Sequence, residues 1–164
     1  IIDLGKEFNI CNCGMLAMDT MRMESGYLHW GHDISPEENQ YQAGLQFTIS
    51  YKKNIDFVGK KALLKIKEKT LSKNFIILTL QNSKPGEPLI LHDEPIYLED
   101  KIIGRTTSGN YSFNFKKNLA FGYVSVDLSK EDLINKKLYI EVAKIKYIAE
   151  LQSKSLNQKD FKSI

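Results

Sequence analysis

The sequence lacks any apolar run long enough for a bilayer. Its longest, such as residues 75–78, hold four side chains, where a spanning helix needs about 20. No secretory leader is visible, because the N-terminus has no basic stretch followed by an apolar one. Cysteine is scarce: Cys11 and Cys13, one residue apart, are the only two. Neighbours that close rarely reach good disulfide geometry, and two cysteines make no secreted scaffold, so a reducing compartment is expected, cytosol or an organelle matrix. A structural zinc ion wants about four ligands and there is no second cysteine pair, so the two read as small residues near a buried turn. A large excess of one sign of charge is missing too. The net charge is +3 with lysines scattered, a solvated surface without the dense basic patch that nucleic acid requires. The chain starts at Ile1 instead of Met, which suggests a piece of a longer polypeptide. What remains is ordinary: 42% hydrophobic and 26% charged residues over 164 positions, against disorder and enough for one domain or a small domain plus part of another.

Apolar residues at 1, 4 and 8 have helical spacing. A second apolar stretch opens after Gly14 with Met15, Leu16, Met18 and Met21 and ends near Ser25-Gly26, where glycine suits a left-handed helix end. Residues 35–39 form a turn or one helical turn, and residues 45–49 alternate apolar and polar, the pattern of a strand. Residues 60–69 put Ala62, Leu63 and Ile66 on one face and lysines on the other, an amphipathic surface helix. After about residue 74 the character changes to short β-rich runs: 75–80, a hairpin across Glu99-Asp100, 119–126, 138–142 and 145–149. These predict an α+β chain, with an incomplete first part over 1–74, a small antiparallel barrel or sandwich over 75–151, and a tail over 152–164.

The segment richest in chemistry is Met21-Arg22-Met23-Glu24-Ser25-Gly26-Tyr27-Leu28-His29-Trp30-Gly31-His32-Asp33-Ile34. Met21 and Met23 cannot share a helix face, and aromatics after a helix end commonly pack as a cap. Arg22 and Glu24 place a cation and a carboxylate beside a glycine, and half-buried groups of this kind need partners, either each other or a ligand. An arginine fork suits a carboxylate, and a glutamate suits a donor-rich heterocycle. His29-x-x-His32-Asp33 has metal-ligand residue types, yet with Trp30 and Gly31 between them packing and surface roles are expected and no metal site. Thr106-Thr107-Ser108-Gly109 reads as a β-turn whose hydroxyls satisfy backbone groups, since no Lys-Ser/Thr follows a second glycine as in a phosphate loop.

Arg22 to Tyr27 followed by Trp30 to Ile34 resembles the R-L-E-x-G-Y-x-x-W-G-x-(D/E)-I stretch of the glycine cleavage T-protein superfamily, in the form found in its dimethylglycine and sarcosine dehydrogenase branch. Gln42-Ala43-Gly44-Leu45 and Asp56-Phe57-Val58-Gly59-Lys60-Lys61-Ala62-Leu63 are similar to that branch's E-A-G-L and D-F-I-G-x-x-A-L segments. Gly104 to Ser112 and Lys117 to Val124 resemble its G-x-T-T-S-G-x-Y-S and K-x-L-A-x-x-Y-V segments. The five run in register across roughly residues 12–150.

The resemblance implies a folate-binding, three-domain enzyme that forms 5,10-methylenetetrahydrofolate from a small methylamine-type substrate. Here it covers only the C-terminal part of the folate-binding aminomethyltransferase domain and the β domain beyond. The partner is then the missing N-terminal part of the same protein. FAD would belong to a domain upstream, because no G-x-G-x-x-G follows a strand here. The family's catalytic carboxylate lies outside this chain. Within it the resemblance points to Arg22 for the folate tail and Tyr27 for stacking or hydrogen bonding, with Glu24 third as the residue that holds Arg22. His32, where Asn, Gln or Ser would fit equally, keeps a metal alternative open. The rival function is a non-catalytic folate-binding or scaffolding module; the K-G-C-Y-x-G-Q-E type of motif common in such relatives is not found.

Overall fold

The computed structural model describes residues 1–53, 55–125, 133–134, 136–153 and 155–156. Helix α1, Ile2–Gly5, runs into a 3₁₀ turn at Lys6–Phe8, a shorter helical start than the spacing suggests. Helix α2, Met15–Ser25, starts after Gly14 and ends at Gly26, whose φ of 77° is left-handed. There the Tyr27 amide returns to the Arg22 carbonyl at 2.8 Å, satisfying one of the carbonyls a helix end leaves unpaired. Met23 is buried and Met21 is exposed, as their positions on opposite faces require.

Residues 45–49 do not form the expected strand. They hold a 3₁₀ turn, Gln46–Thr48, in which the Thr48 amide and hydroxyl both donate to the Leu45 carbonyl, at 3.0 and 2.7 Å. Alternation alone cannot make a strand without a neighbour to pair with, and these local bonds win. Helix α3, Lys60–Lys67, has Leu63 and Ile66 half-buried and Lys61, Lys65 and Lys67 exposed, while Ala62, expected on the apolar face, is exposed as well.

The second half is a closed antiparallel barrel of six strands: β1 Lys73–Leu80, β2 Pro95–Leu98, β3 Lys101–Ser112, β4 Lys117–Ser125, β5 Leu138–Val142 and β6 Ile145–Gln152, in the order β1-β4-β3-β2-β5-β6. Of the two architectures open to the sequence, the chain takes the barrel. The hairpin expected across Glu99-Asp100 joins β2 and β3. The expected turn at 106–109 is a correction: these residues lie inside β3, paired with β4 from Gly104↔Val124 to Ser112↔Lys117, with a bulge between Thr106 and Ser108. One extra residue is absorbed without reversing the chain.

Strand alternation sorts the core into two. Ile76, Leu78 and Leu80 of β1 with Ala120 and Val124 of β4 point into the barrel, joined by Ile96, Ile103, Leu138, Ile140 and Ala149. Their odd-numbered neighbours, Phe75, Leu119, Phe121 and Tyr123, point outward and close over Met23 of α2. β4 is therefore buried on both faces. Each fully buried large side chain contributes roughly 1.5–3 kcal/mol, and this outer cluster is what seats the end of α2 against the barrel.

Candidate functional site

Arg22 sits in the last turn of α2 with its side chain 15% exposed. Its Nε donates to Asp19 Oδ1 at 2.7 Å, Nη1 to Asp33 Oδ2 at 2.5 Å and to the Tyr27 carbonyl at 3.2 Å, and Nη2 to Ser108 Oγ at 2.8 Å. Nη2 also lies 2.6 Å from Asp19 Oδ1, and the guanidinium stands 5.6 Å from the Phe121 ring centroid. The fork is engaged on every side within the chain.

Asp33, with no exposed side-chain surface, is the other half of this network. Its Oδ2 accepts from Arg22 and from the His29 amide at 2.8 Å, and its Oδ1 accepts from the hydroxyls of Thr107 at 2.6 Å and Ser108 at 2.8 Å. Four donors match the roughly four lone-pair sites of a carboxylate, which is the condition for keeping such a charge away from water. Behind it the Tyr123 hydroxyl donates to the Asp33 carbonyl at 2.8 Å. Burial, then the charges of Glu38 and Asp33, push the Tyr123 phenol far above its ordinary range, so it stays a donor.

Glu24 does not hold Arg22. It is buried, accepting from Ser112 Oγ at 2.5 Å and Asn114 Nδ2 at 2.7 Å. Residues two apart on a helix do not face each other, so Arg22 pairs with Asp19, three residues back, and with the incoming loop. Glu24 lines a groove of about 460 Å³ with Leu16, Met21, Tyr111 and Phe113. Tyr27 is 69% exposed just past the helix end. Across Asp33 lies a second, polar cleft of about 410 Å³, lined among others by His32, Glu38, Lys73 and Arg105. Glu38 accepts from Lys73 and from the Ser35 amide and hydroxyl, each of the latter at 2.7 Å.

The imidazole rings make no hydrogen bond to the Asp33 carboxylate among the described residues, and only the His29 amide reaches it. His29 and His32 rings lie 4.6 Å apart and His92 reaches within 6.4 Å of His32, while Asp33 turns inward. Among the described residues no three His, Cys, Asp or Glu groups are set to hold a metal ion. Cys11 and Cys13 are exposed, not near a buried turn. Sequence reasoning missed Thr107, Ser108, Ser112 and Asn114 as partners of the two buried carboxylates. The hydroxyl density of 106–112 hinted at the first three, and nothing pointed to Asn114.

Residues 1–53 match the GCVT N-terminal domain, and residues 73–156 match the glycine cleavage T-protein C-terminal barrel domain. The chain belongs to the glycine cleavage T-protein family. This family member is 38% identical over 130 residues to the mitochondrial dimethylglycine dehydrogenase of Homo sapiens, covering 79% of its own length and 15% of that protein. It is 32% identical over 127 residues to an aminomethyltransferase of Symbiobacterium thermophilum, covering 77% of itself and 32% of the relative. Among solved structures it is similar to aminomethyltransferase T of the glycine cleavage system from Bartonella henselae, with a TM-score of 0.72 and 26% identity over 85% of this chain and 38% of that one. No helix among the described residues is long and apolar enough to cross a membrane.

Proposed function

We propose that this chain is the C-terminal segment of an enzyme of folate-dependent one-carbon transfer, forming 5,10-methylenetetrahydrofolate, either T-protein-like or demethylating dimethylglycine or sarcosine. The observation that carries the reading is the run of two family matches in order, 1–53 then 73–156, meeting at the Arg22–Asp33 network. Residues 1–74 are then the end of the folate-binding domain and 75–151 the barrel domain, with the N-terminal part of the same protein as partner; of the expected tail over 152–164, residues 154 and 157–164 lie outside the described residues. FAD, where a dehydrogenase is fused, belongs to that upstream part. The cytoplasm, or a mitochondrial matrix, suits such an enzyme.

The donor set fits tetrahydrofolate in parts. Tyr27 offers an open aromatic ring for stacking or a hydrogen bond. Arg22 contributes by fixing the Tyr27 carbonyl, and Glu24 by fixing the wall that carries Tyr111 and Phe113. Bound tetrahydrofolate supplies the nucleophilic nitrogen that accepts the one-carbon unit. These residues position it, and proximity of this kind is worth about 7–11 kcal/mol where the geometry is complete.

The test is tetrahydrofolate-dependent formation of 5,10-methylenetetrahydrofolate by the polypeptide that carries this chain with its upstream part, given dimethylglycine, sarcosine or the aminomethyl group of glycine. Turnover supports the enzyme. Folate binding with no turnover on any of the three donors would make it a non-catalytic binding or scaffolding module.

A further inference from the structure

Successive side chains of a regular strand point to opposite faces, so two adjacent strand residues do not ordinarily reach one atom. In β3 they do: the hydroxyls of Thr107 and Ser108 both donate to Asp33 Oδ1, at 2.6 and 2.8 Å. The bulge explains it. Thr106 pairs with Gly122 and Ser108 with Phe121, the next residue along β4, so Thr107 is the extra residue opposite no partner of its own. An inserted residue re-aims its neighbours' side chains, which is a recurring use of bulges beside functional sites.

The two hydroxyls open a short relay. Asp33 accepts their hydrogen bonds on Oδ1 and, on Oδ2, those of Arg22 and the His29 amide. Nη1 of Arg22 donates to Asp33 and also to the Tyr27 carbonyl. The loop from 27 to 33 is thus tied at both ends to one carboxylate anchored on the barrel. It is further tightened by the amides of His32, Asp33 and Ile34, which all donate to the His29 carbonyl, and by Gly31 at φ 90°. Its rings, Tyr27 and Trp30, are exposed and have no such ties of their own among the described residues.

We propose that the Thr107–Ser108 bulge and Asp33 are positioning residues for the ligand-facing loop, through which the barrel sets the pose of Tyr27 without touching the ligand. This rests on the folate reading for the identity of the ligand, tetrahydrofolate, though not for the positioning itself. Ser108 is the tightest joint, since its hydroxyl accepts from Arg22 while donating to Asp33.

Trp30 is the chain's single tryptophan, so its fluorescence reports on this loop alone. Thr107→Val and Ser108→Ala should raise the access of acrylamide to Trp30 and lower its anisotropy at temperatures where far-UV circular dichroism shows the barrel intact. Thr107→Ser, which restores the hydroxyl, should behave as the wild type. In the polypeptide extended by its upstream part, the same two variants should lose roughly tenfold in tetrahydrofolate affinity, the worth of one charge-assisted bond, and the serine variant should not. Trp30 signals unchanged in both hydroxyl-less variants would overturn the positioning role. So would a loosened loop with full affinity in a protein that binds tetrahydrofolate well. If the wild type bound no tetrahydrofolate, the folate reading would fall, and the Trp30 result alone would uphold or overturn the positioning.

Discussion

Arg22 offers its fork to four different residues of its own chain, and this decides what its removal does. Arg22→Ala leaves the Asp33 carboxylate buried with one charge partner gone, the situation in which breaking a buried pair costs about 3–5 kcal/mol. We expect about 3 kcal/mol lost from unfolding stability in urea titrations, with Arg22→Lys recovering part of it because an ammonium cannot span Asp19, Asp33 and Tyr27 at once. A loss of folate affinity by the folded fraction larger than this relay explains, with stability intact, would instead give Arg22 the folate tail. Gly26 is constrained from two sides: its φ is 77°, and an added Cβ would come within 2.8 Å of Ser155 Cβ. Gly26→Ala should therefore cost about 1–2 kcal/mol or more, measured the same way. Glu38 gives the pH dependence. Burial raises its carboxyl, but the Lys73 ammonium and the bonds from Ser35 outweigh that and hold it below its ordinary value. Its stabilising share is thus present above the ordinary glutamate value of about 4.3 and is lost as pH falls through the lower folded value. The melting temperature of the wild type should fall more steeply than that of Glu38→Gln as pH drops below about 4.

At the level of elements, what the sequence made legible follows from how locally each signal is made. The end of α2 was readable because a left-handed glycine is a one-residue requirement, and β1 and β4 because period-two patterning is intrinsic to a pleated strand. The 3₁₀ turn at Gln46–Thr48 was not readable, since its apolar residues imitate a strand and only the missing neighbour distinguishes them. The bulge in β3 was mistaken for a turn for a related reason: hydroxyls and glycine mark both, and pairing with β4, ten or so residues on, decides between them. β4 carries the fold's second core, and its outward side makes a testable joint. Phe121 lies between Phe75, Met23 and the Arg22 guanidinium. Phe121→Ala should cost about 3–5 kcal/mol, and amide exchange in α2 should accelerate more than in β5, which lies across the barrel and shares none of this cluster.

For the molecule as a whole, the family was legible from five short segments, while the site was legible only in its outline. Arg22 and Tyr27 were singled out by residue type; Asp33, Thr107 and Ser108 join them only after the barrel folds back over some 74 residues of sequence. The chain spans 15% of the human dimethylglycine dehydrogenase it resembles, and its apolar groove beside Glu24 lies open. Half a pocket leaves a ligand's polar groups in water, so calorimetry on this chain alone should show tetrahydrofolate affinity weaker than micromolar, if any. Tight binding by the isolated chain would contradict a channel shared with upstream residues.

Closure of the barrel bears on how such a chain behaves when handled alone. β1 pairs with β4 on one side and β6 on the other, and the circuit returns through β3, β2 and β5. Among the described strands each has a neighbour on both sides over at least part of its length, which leaves only short edge segments as a template for cross-β stacking with another copy. Self-association of this chain, where it occurs, is expected to run through side chains, Met15, Leu16, Met18 and Met21 along α2 among them, all of which are exposed. It should then yield to detergent and to polar substitutions on that helix, and leave thioflavin dark.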